Sequence, residues 1–459
     1  MTRTVFAGQT ASVQEGIAEE LAEVLRVEAE RRGVPGCAAG VLCDGQAITA
    51  SYGVTSVEHP LDVTSDTLFQ VASITKTFTA AGVMTLVEEG RLALEDPVVA
   101  HLPTLRATTD LDTDAITIEH LLSHQAGFDG DHLFVLRSDD LDELKNARRL
   151  FPPGTAFSYN NAAFSIAGAV IEQVSGQPFR PFMRDRFFRP LGMKSACFRA
   201  DDAILNRVAA PHYVDGDRII VIRGAGWQRG WELAPGDWPA GGLIASVDHL
   251  LAWSRFQLDG RAADGRRLLA EESLERLHAP VVTASCTEDV ALDWSVRRVG
   301  DVTTISHHGL TAGYCSVLVI APERGIAIVC LTHAVNGASV NDAVYRWAMH
   351  RLTGSEVRDP IPDPSLDVEC AGEFLSPFAR LTVARADAPG TIVVTSAPRD
   401  DVDGWKPPVE PPIRLAFFQP DHAVSLDAPG PTFVMRVGFA DNGTAAWVSW
   451  GGRRSPRIA

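Results

Sequence analysis

Ser73 and Lys76 stand three residues apart in Ser73-Ile74-Thr75-Lys76, at the head of an apolar run. On a helix, that spacing puts both side chains on one side of the first turn. A serine hydroxyl is a poor nucleophile near neutrality and needs a base beside it. Lysine can be that base where a low-dielectric pocket or nearby positive charge lowers its pKa. The free N–H groups at a helix start would face a developing oxyanion. The spacing alone is common, and Ser73 would serve equally well as a helix cap.

Two further stretches have chemical potential. In Phe157-Ser158-Tyr159-Asn160-Asn161, Tyr159 and Asn161 face one cleft if the backbone is extended. A phenol can relay a proton and an amide can hold a substrate carbonyl. The plainer reading is a helix N-cap at Asn160 or Asn161 beside a half-buried tyrosine. His307-His308-Gly309 follows a strand signal, and Gly309 would let a substrate approach the backbone. The histidine pair also reads as surface or packing, and no companion spacing supports a metal site. Trp227, Trp231 and Trp238 crowd one glycine-containing stretch, either as a packed cluster or as an apolar wall at a cleft mouth, which Phe128, Phe134 and Phe157 would join. His124 reads as structural and Cys315 as packing within a strand.

The elements that must position these residues follow from periodicity. Residues 12–33 form an amphipathic helix with Ile17, Leu21, Val24 and Leu25 on one stripe. Cys37–Cys43 and Gln46–Tyr52 form a hairpin about an Asp44-Gly45 turn. Ala72–Glu89 is apolar over most of its circumference, which predicts a buried central helix ended by Gly90. Helical signals at 117–123, 162–174, 179–187 and 246–258 dominate 96–260. Thr303–His307, Gly313–Ile320 and Ile326–Leu331 are strand-like, and Val340–Leu352 is a closing helix. The reading is therefore a sheet-containing part from 12–95 and 261–352 around a mainly helical insertion at 96–260. Gly354 and the prolines at 360, 362 and 364 mark a linker over 353–365. Apolar stretches at 379–384, 391–395, 413–418, 432–437 and 445–450 predict a small all-β domain over 366–459.

Composition narrows the function. The 459 residues suit two or three folded units, and 46% hydrophobic with 22% charged residues is an ordinary globular mix. Lys plus Arg number 41 against 58 Asp plus Glu, a formal charge of −17 that repels nucleic acid. Arg453-Arg454-Ser455-Pro456-Arg457 reads as a frayed terminus. Seven cysteines without a CxxC read as buried free thiols. The first residues lack a signal-peptide pattern and no run is apolar enough to span a membrane, so the expected setting is the cytoplasm.

Together, Ser73-x-x-Lys76, Tyr159-x-Asn161 and His307-x-Gly309 resemble the three ordered motifs of serine β-lactamase-like hydrolases. The resemblance is strongest to class C β-lactamases, DD-peptidases and their esterase and D-amino-acid amidase relatives, and covers roughly residues 12–352. Thr117–Gly127, Pro153-Gly154, Leu191-Gly192-Met193 and Ala240-Gly241-Gly242-Leu243 support it. It implies an α/β fold with a central antiparallel sheet and an all-helical subdomain, 12–352, while the tail is similar to β-barrel appendages on some members. It also implies Ser73 as nucleophile, Lys76 as base, Tyr159 as proton shuttle and Asn161 as amide binder. The N–H groups of Ser73 and Leu310 would form the oxyanion hole, with His307 and Gly309 beside the substrate. His307 stands where penicillin-processing members usually carry lysine, which points away from β-lactam turnover. The expected activity is metal- and cofactor-independent cleavage of a small ester or amide through an acyl-enzyme. A transacylase using an amine or alcohol acceptor, a D-amino-acid peptidase, and a non-catalytic binding protein are the alternatives.

Overall fold

The structure is a computed structural model that describes residues 3–108, 111–129, 131, 144, 147–216, 218–223, 231–399, 411–427 and 433–458. Its first helix, α1 (Arg3–Arg32), leads into strands β1 (Gly36–Cys43) and β2 (Gln46–Gly53). Asp44 and Gly45 both have positive φ, at 49° and 72°, which matches the twist of a two-residue hairpin. Six further strands return after the helical region: β3 (Val282–Ser285), β4 (Glu288–Val290), β5 (Ser295–Val299), β6 (Val302–Thr311), β7 (Tyr314–Ala321) and β8 (Ile326–Thr332). They form one antiparallel sheet in the order β2-β1-β8-β7-β6-β5-β4-β3. The strands β3 to β5 are absent from the sequence expectation because Glu288, Asp289, Arg297 and Arg298 interrupt their apolar pattern.

The central strands are buried on both faces, and their alternation divides the core. Along β8, Ala327, Val329 and Leu331 join one cluster while Ile326, Ile328 and Cys330 join the other. The second cluster lies beneath α1 and the helix Ala338–Thr353, through Leu21, Leu25, Val340 and Val344. The first continues into the helical region. There, α2 (Thr75–Glu88) is buried from Thr75 to Leu86, as its nearly all-round apolar sequence requires. Phe78 stacks on Trp253 at 3.6 Å between ring centroids, tying α2 to the helix Val247–Asp259. Short strand pairs also occur in this region, such as Phe69–Gln70 with Ile244–Ala245.

The chain ends in a separate eight-stranded antiparallel sheet whose strands follow sequence order. Its core includes Phe374, Leu381, Val394, Leu415, Phe417, Met435 and Val448. A bridge between Phe374 and Arg457, with the Ile458 N–H donating to the Glu373 carbonyl at 2.8 Å, nearly closes it. Its four-residue strands Gly372–Leu375, His422–Ser425 and Arg453–Pro456 escape the sequence expectation. Arg453–Pro456 corrects the frayed-terminus reading, because it pairs with Ala445–Trp450. Two consecutive arginines precede its single buried residue, Ser455, and conceal the strand. Among the described residues, no helix is long and apolar enough to cross a membrane. All seven cysteines are free, and Cys286 is exposed.

Candidate active site

Ser73 sits in a 3-10 turn, Ala72–Ile74, that feeds directly into α2. Ala72 has φ of +49°, a left-handed conformation unusual for alanine. Several bonds hold this elbow. The Thr75 hydroxyl donates to the Ala72 carbonyl at 2.6 Å, and the Val71 N–H donates to the Leu243 carbonyl at 3.0 Å. The Ser316 hydroxyl, on β7, donates to the Val71 carbonyl at 2.8 Å. Gly309 lies opposite Ser316 on β6, and a Cβ there would stand 2.3 Å from the Val71 oxygen. The strand and the elbow therefore touch only because residue 309 lacks a side chain.

The Lys76 ammonium nitrogen lies 3.0 Å from Ser73 Oγ and also donates to the Ala240 carbonyl. Lys76 is 0% exposed. Burial brings its pKa down to about 7, with Arg453 adding to the effect and Asp293, Asp131 and Asp237 opposing it. A large part of the population thus carries a neutral amine near pH 7, within reach of the serine proton.

Tyr159 is half-buried beside Ser73, and the Lys76 nitrogen is 4.9 Å from its ring centroid. Burial pushes the phenol above its ordinary range, so it holds its proton in the resting site. Asn160 caps the helix Asn161–Ser175, accepting from the Ala163 N–H at 3.1 Å. That leaves the Asn161 side chain free of the capping task. Its Oδ1 is buried and has no hydrogen-bond partner among the described residues. An acceptor in that state is costly unless something fills it.

Beneath Tyr159 lies His124, stacked at 4.4 Å between centroids and with φ of +58°. The Asn160 N–H donates to His124 Nδ1 at 3.0 Å, so Nε2 carries the proton toward Asp293 Oδ1 at 3.2 Å. His307 Nε2 approaches the same oxygen at 3.3 Å, and its Nδ1 donates to the His308 carbonyl at 2.7 Å. Burial alone would raise the Asp293 carboxyl, but His307 and His124 against it hold it below its usual range. Asp293 thus joins the third motif to His124, a link that sequence reasoning missed. On β6, pairing with β5 ends at Ser306 while pairing with β7 runs to Thr311. The other edge of residues 307–311, including Leu310, lies outside the strand pairing on that side.

The tail supplies a further missed contact. The Tyr159 N–H donates to the Gly452 carbonyl at 3.0 Å, and the Arg454 N–H donates to Ser158 Oγ at 3.1 Å. The Arg453 guanidinium lies 4.8 Å from the Tyr159 ring centroid and donates to Asp131.

The structure therefore brings Ser73, Lys76, Tyr159, His307 and Gly309 together. Trp231 and Trp238 pack against the main core. Their indole N–H groups donate to the Tyr314 hydroxyl at 2.8 Å and to the Leu233 carbonyl at 3.0 Å. Trp227 and Phe134 lie outside the described residues. Among the described residues, no group of three or more His, Cys, Asp or Glu is placed to hold a metal ion.

The chain is similar to several known proteins. Penicillin-binding protein 4 of Amycolatopsis lactamdurans is 28% identical over 366 residues, 76% of this chain and 92% of its own length. Unguisins hydrolase ungD' of Aspergillus campestris is 27% identical over 379 residues, 76% of this chain and 67% of its own. A crystal structure of SurE matches with a TM-score of 0.75 at 25% identity, covering 97% of this chain and 100% of that one. Residues 18–350 match the Beta-lactamase family, and the chain belongs to it.

Proposed function

We propose that the protein is a serine hydrolase that cleaves a small ester or amide through an acyl-enzyme on Ser73. The observation that carries this reading is the fully buried Lys76, with a pKa of about 7 and its nitrogen 3.0 Å from Ser73 Oγ. Neutral Lys76 takes the Ser73 proton as Oγ bonds to the substrate carbonyl carbon. The carbonyl electron pair moves onto oxygen, where the N–H groups of Ser73 and Leu310 meet it. Collapse of that intermediate breaks the bond to the alcohol or amine. Tyr159, which holds its proton at rest, gives it to the departing group and recovers one from the Lys76 ammonium. Water entering along the reverse path frees the acid. In this reading residues 12–352 carry the chemistry, and 366–459 form a domain set against it.

The unfilled Asn161 oxygen favours a substrate that brings an N–H, and so an amide or an amino-acid ester over a simple ester. His307 is already paired with Asp293, which favours neutral over carboxylate-bearing substrates. Trp231 and Trp238 enter as packing near the site. The relative named as a hydrolase supports water as acceptor. Intact-mass analysis tests the reading, using esters, amides and β-lactams in D and L forms, with amine and alcohol acceptors in parallel. Acylated protein and released acid are expected. Turnover only with an amine or alcohol would make the protein a transacylase, and no adduct with any substrate would overturn the proposal.

A further inference from the structure

The turn between the last two strands of the tail reaches the second motif. Gly451 and Gly452 have φ of +55° and +77°, a conformation that side-chain-bearing residues rarely adopt. It directs the Gly452 carbonyl at the Tyr159 N–H and places Arg453 over the Tyr159 ring. Arg453 Nε donates to Asp131 Oδ2, and Nη1 donates to the Gly451 carbonyl at 2.9 Å. Asp131 Oδ1 in turn accepts from the Asn161 N–H at 2.9 Å. The Asp131 side chain is 1% exposed and that of Arg453 19%. One ion pair thus grips both ends of Tyr159-Asn160-Asn161. With Lys76 Nζ at 4.9 Å from the Tyr159 centroid and the Arg453 guanidinium at 4.8 Å, the two cations are no more than about 10 Å apart.

We propose that Arg453 is a positioning residue of the acyl-transfer site: clamped on Asp131, it fixes Tyr159 against Ser73 and sets a permanent positive charge beside the Lys76 ammonium. The tail is then a working part of the site. This rests on the reading of Lys76 as the base. The charged groups facing Lys76 are Asp293, Asp131, Asp237 and Arg453, with His124 and Tyr159 in contact or nearby. Those facing Arg453 are Asp131, Asp129 and Tyr159. Losing Arg453 leaves Asp131 unopposed, so Lys76 holds its proton to higher pH.

The chain has four lysines, at positions 76, 145, 194 and 406, so NMR of 13Cε-labelled lysine follows Lys76 directly, without reliance on activity. Arg453→Gln should raise the Lys76 titration by about one pH unit, the effect of a unit charge about 10 Å away at an effective dielectric of about 20. The acidic limb of kcat/KM should move with it. Arg453→Gln with Asp131→Asn, which removes both charges, should return the titration to near the wild-type value. Arg453→Lys keeps the charge but loses the planar fork, and should lower kcat at least about tenfold with little change in the titration. An unchanged Lys76 titration in both folded Arg453→Gln and the double variant, or full kcat in Arg453→Lys, would overturn the inference. If the titration moves as stated while Ser73 takes no acyl group, the proposed function fails and the electrostatic role of the tail stands.

Discussion

Gly309→Ala should disable the site without unfolding the protein. The added Cβ would lie 2.3 Å from the Val71 carbonyl oxygen and 2.2 Å from Ser316 Oγ, the hydroxyl that holds that carbonyl. Ordinary contact begins near 3.4 Å, so strand and elbow must part by about 1 Å. Neither neighbour is the end of a flexible chain. One is backbone, and the other is a short side chain on a buried strand. Overpacking of this kind costs about 1–3 kcal/mol of stability. Ser73 is two residues beyond Val71, and Leu310 is the next residue after 309, so the proposed nucleophile and the proposed oxyanion donor separate together. A displacement of about 1 Å costs about 100-fold in rate, and losing one oxyanion donor costs about 100- to 1,000-fold. The assay is kcat and KM on an ester that acylates wild type, with a thermal melt beside it. kcat/KM should fall at least about 100-fold, chiefly in kcat. Gly16→Ala, where nothing lies within 4 Å, is the control and should leave activity unchanged. A folded Gly309→Ala within about threefold of wild-type activity would refute the argument that this contact sets the geometry.

Three further outcomes follow from the same charges and contacts. Because burial disfavours the Lys76 ammonium, kcat/KM should rise with pH through about 7; a limb near 10 would show Lys76 unperturbed or uninvolved. Lys76→Met should relieve a cost of folding. Between about 7 and 10.5 the unfolded chain holds a proton that the folded one lacks, so wild-type stability rises across that window and the full penalty stands below it. By chemical denaturation, the stability of Lys76→Met relative to wild type should therefore be greater at pH 6 than at pH 10 by a few kcal/mol, and equal differences would refute the argument. Wild type should acylate faster with a neutral substrate than with its carboxylate-bearing match, and His307→Lys should narrow that gap in kcat/KM; a wild-type preference for the anion, unmoved by the substitution, would contradict the role given to His307.

The sequence exposes what is local. Asp44-Gly45 marks its hairpin, and the nearly all-round apolar face of α2 marks its burial. Ser73 and Lys76 can be paired because a helix fixes their spacing. Asn160 shows where local reading stops short: an N-cap at Asn160 or Asn161 is visible in the sequence, but which asparagine caps depends on the backbone angles. His124 looks structural because its partner Asp293 is 169 residues away, brought close only by the fold. Arg453 and Asp131 are 322 residues apart, and the arginine lies in a strand too short and too charged to show a period. The Ala72 elbow is hidden for a different reason. Alanine has no preference for positive φ, and the conformation is imposed by Ser316, Leu243 and the bare Gly309 around it.

In the proposed mechanism Ser73 forms the covalent intermediate. Intact-mass analysis after treatment with a fluorophosphonate tests it most directly, followed by peptide mapping. One phosphonyl mass per chain is expected on the peptide containing Ser73, formed faster as pH rises through about 7 and absent from folded Ser73→Ala. Unlabelled protein that still turns over substrate, or a label on any other residue, would contradict it.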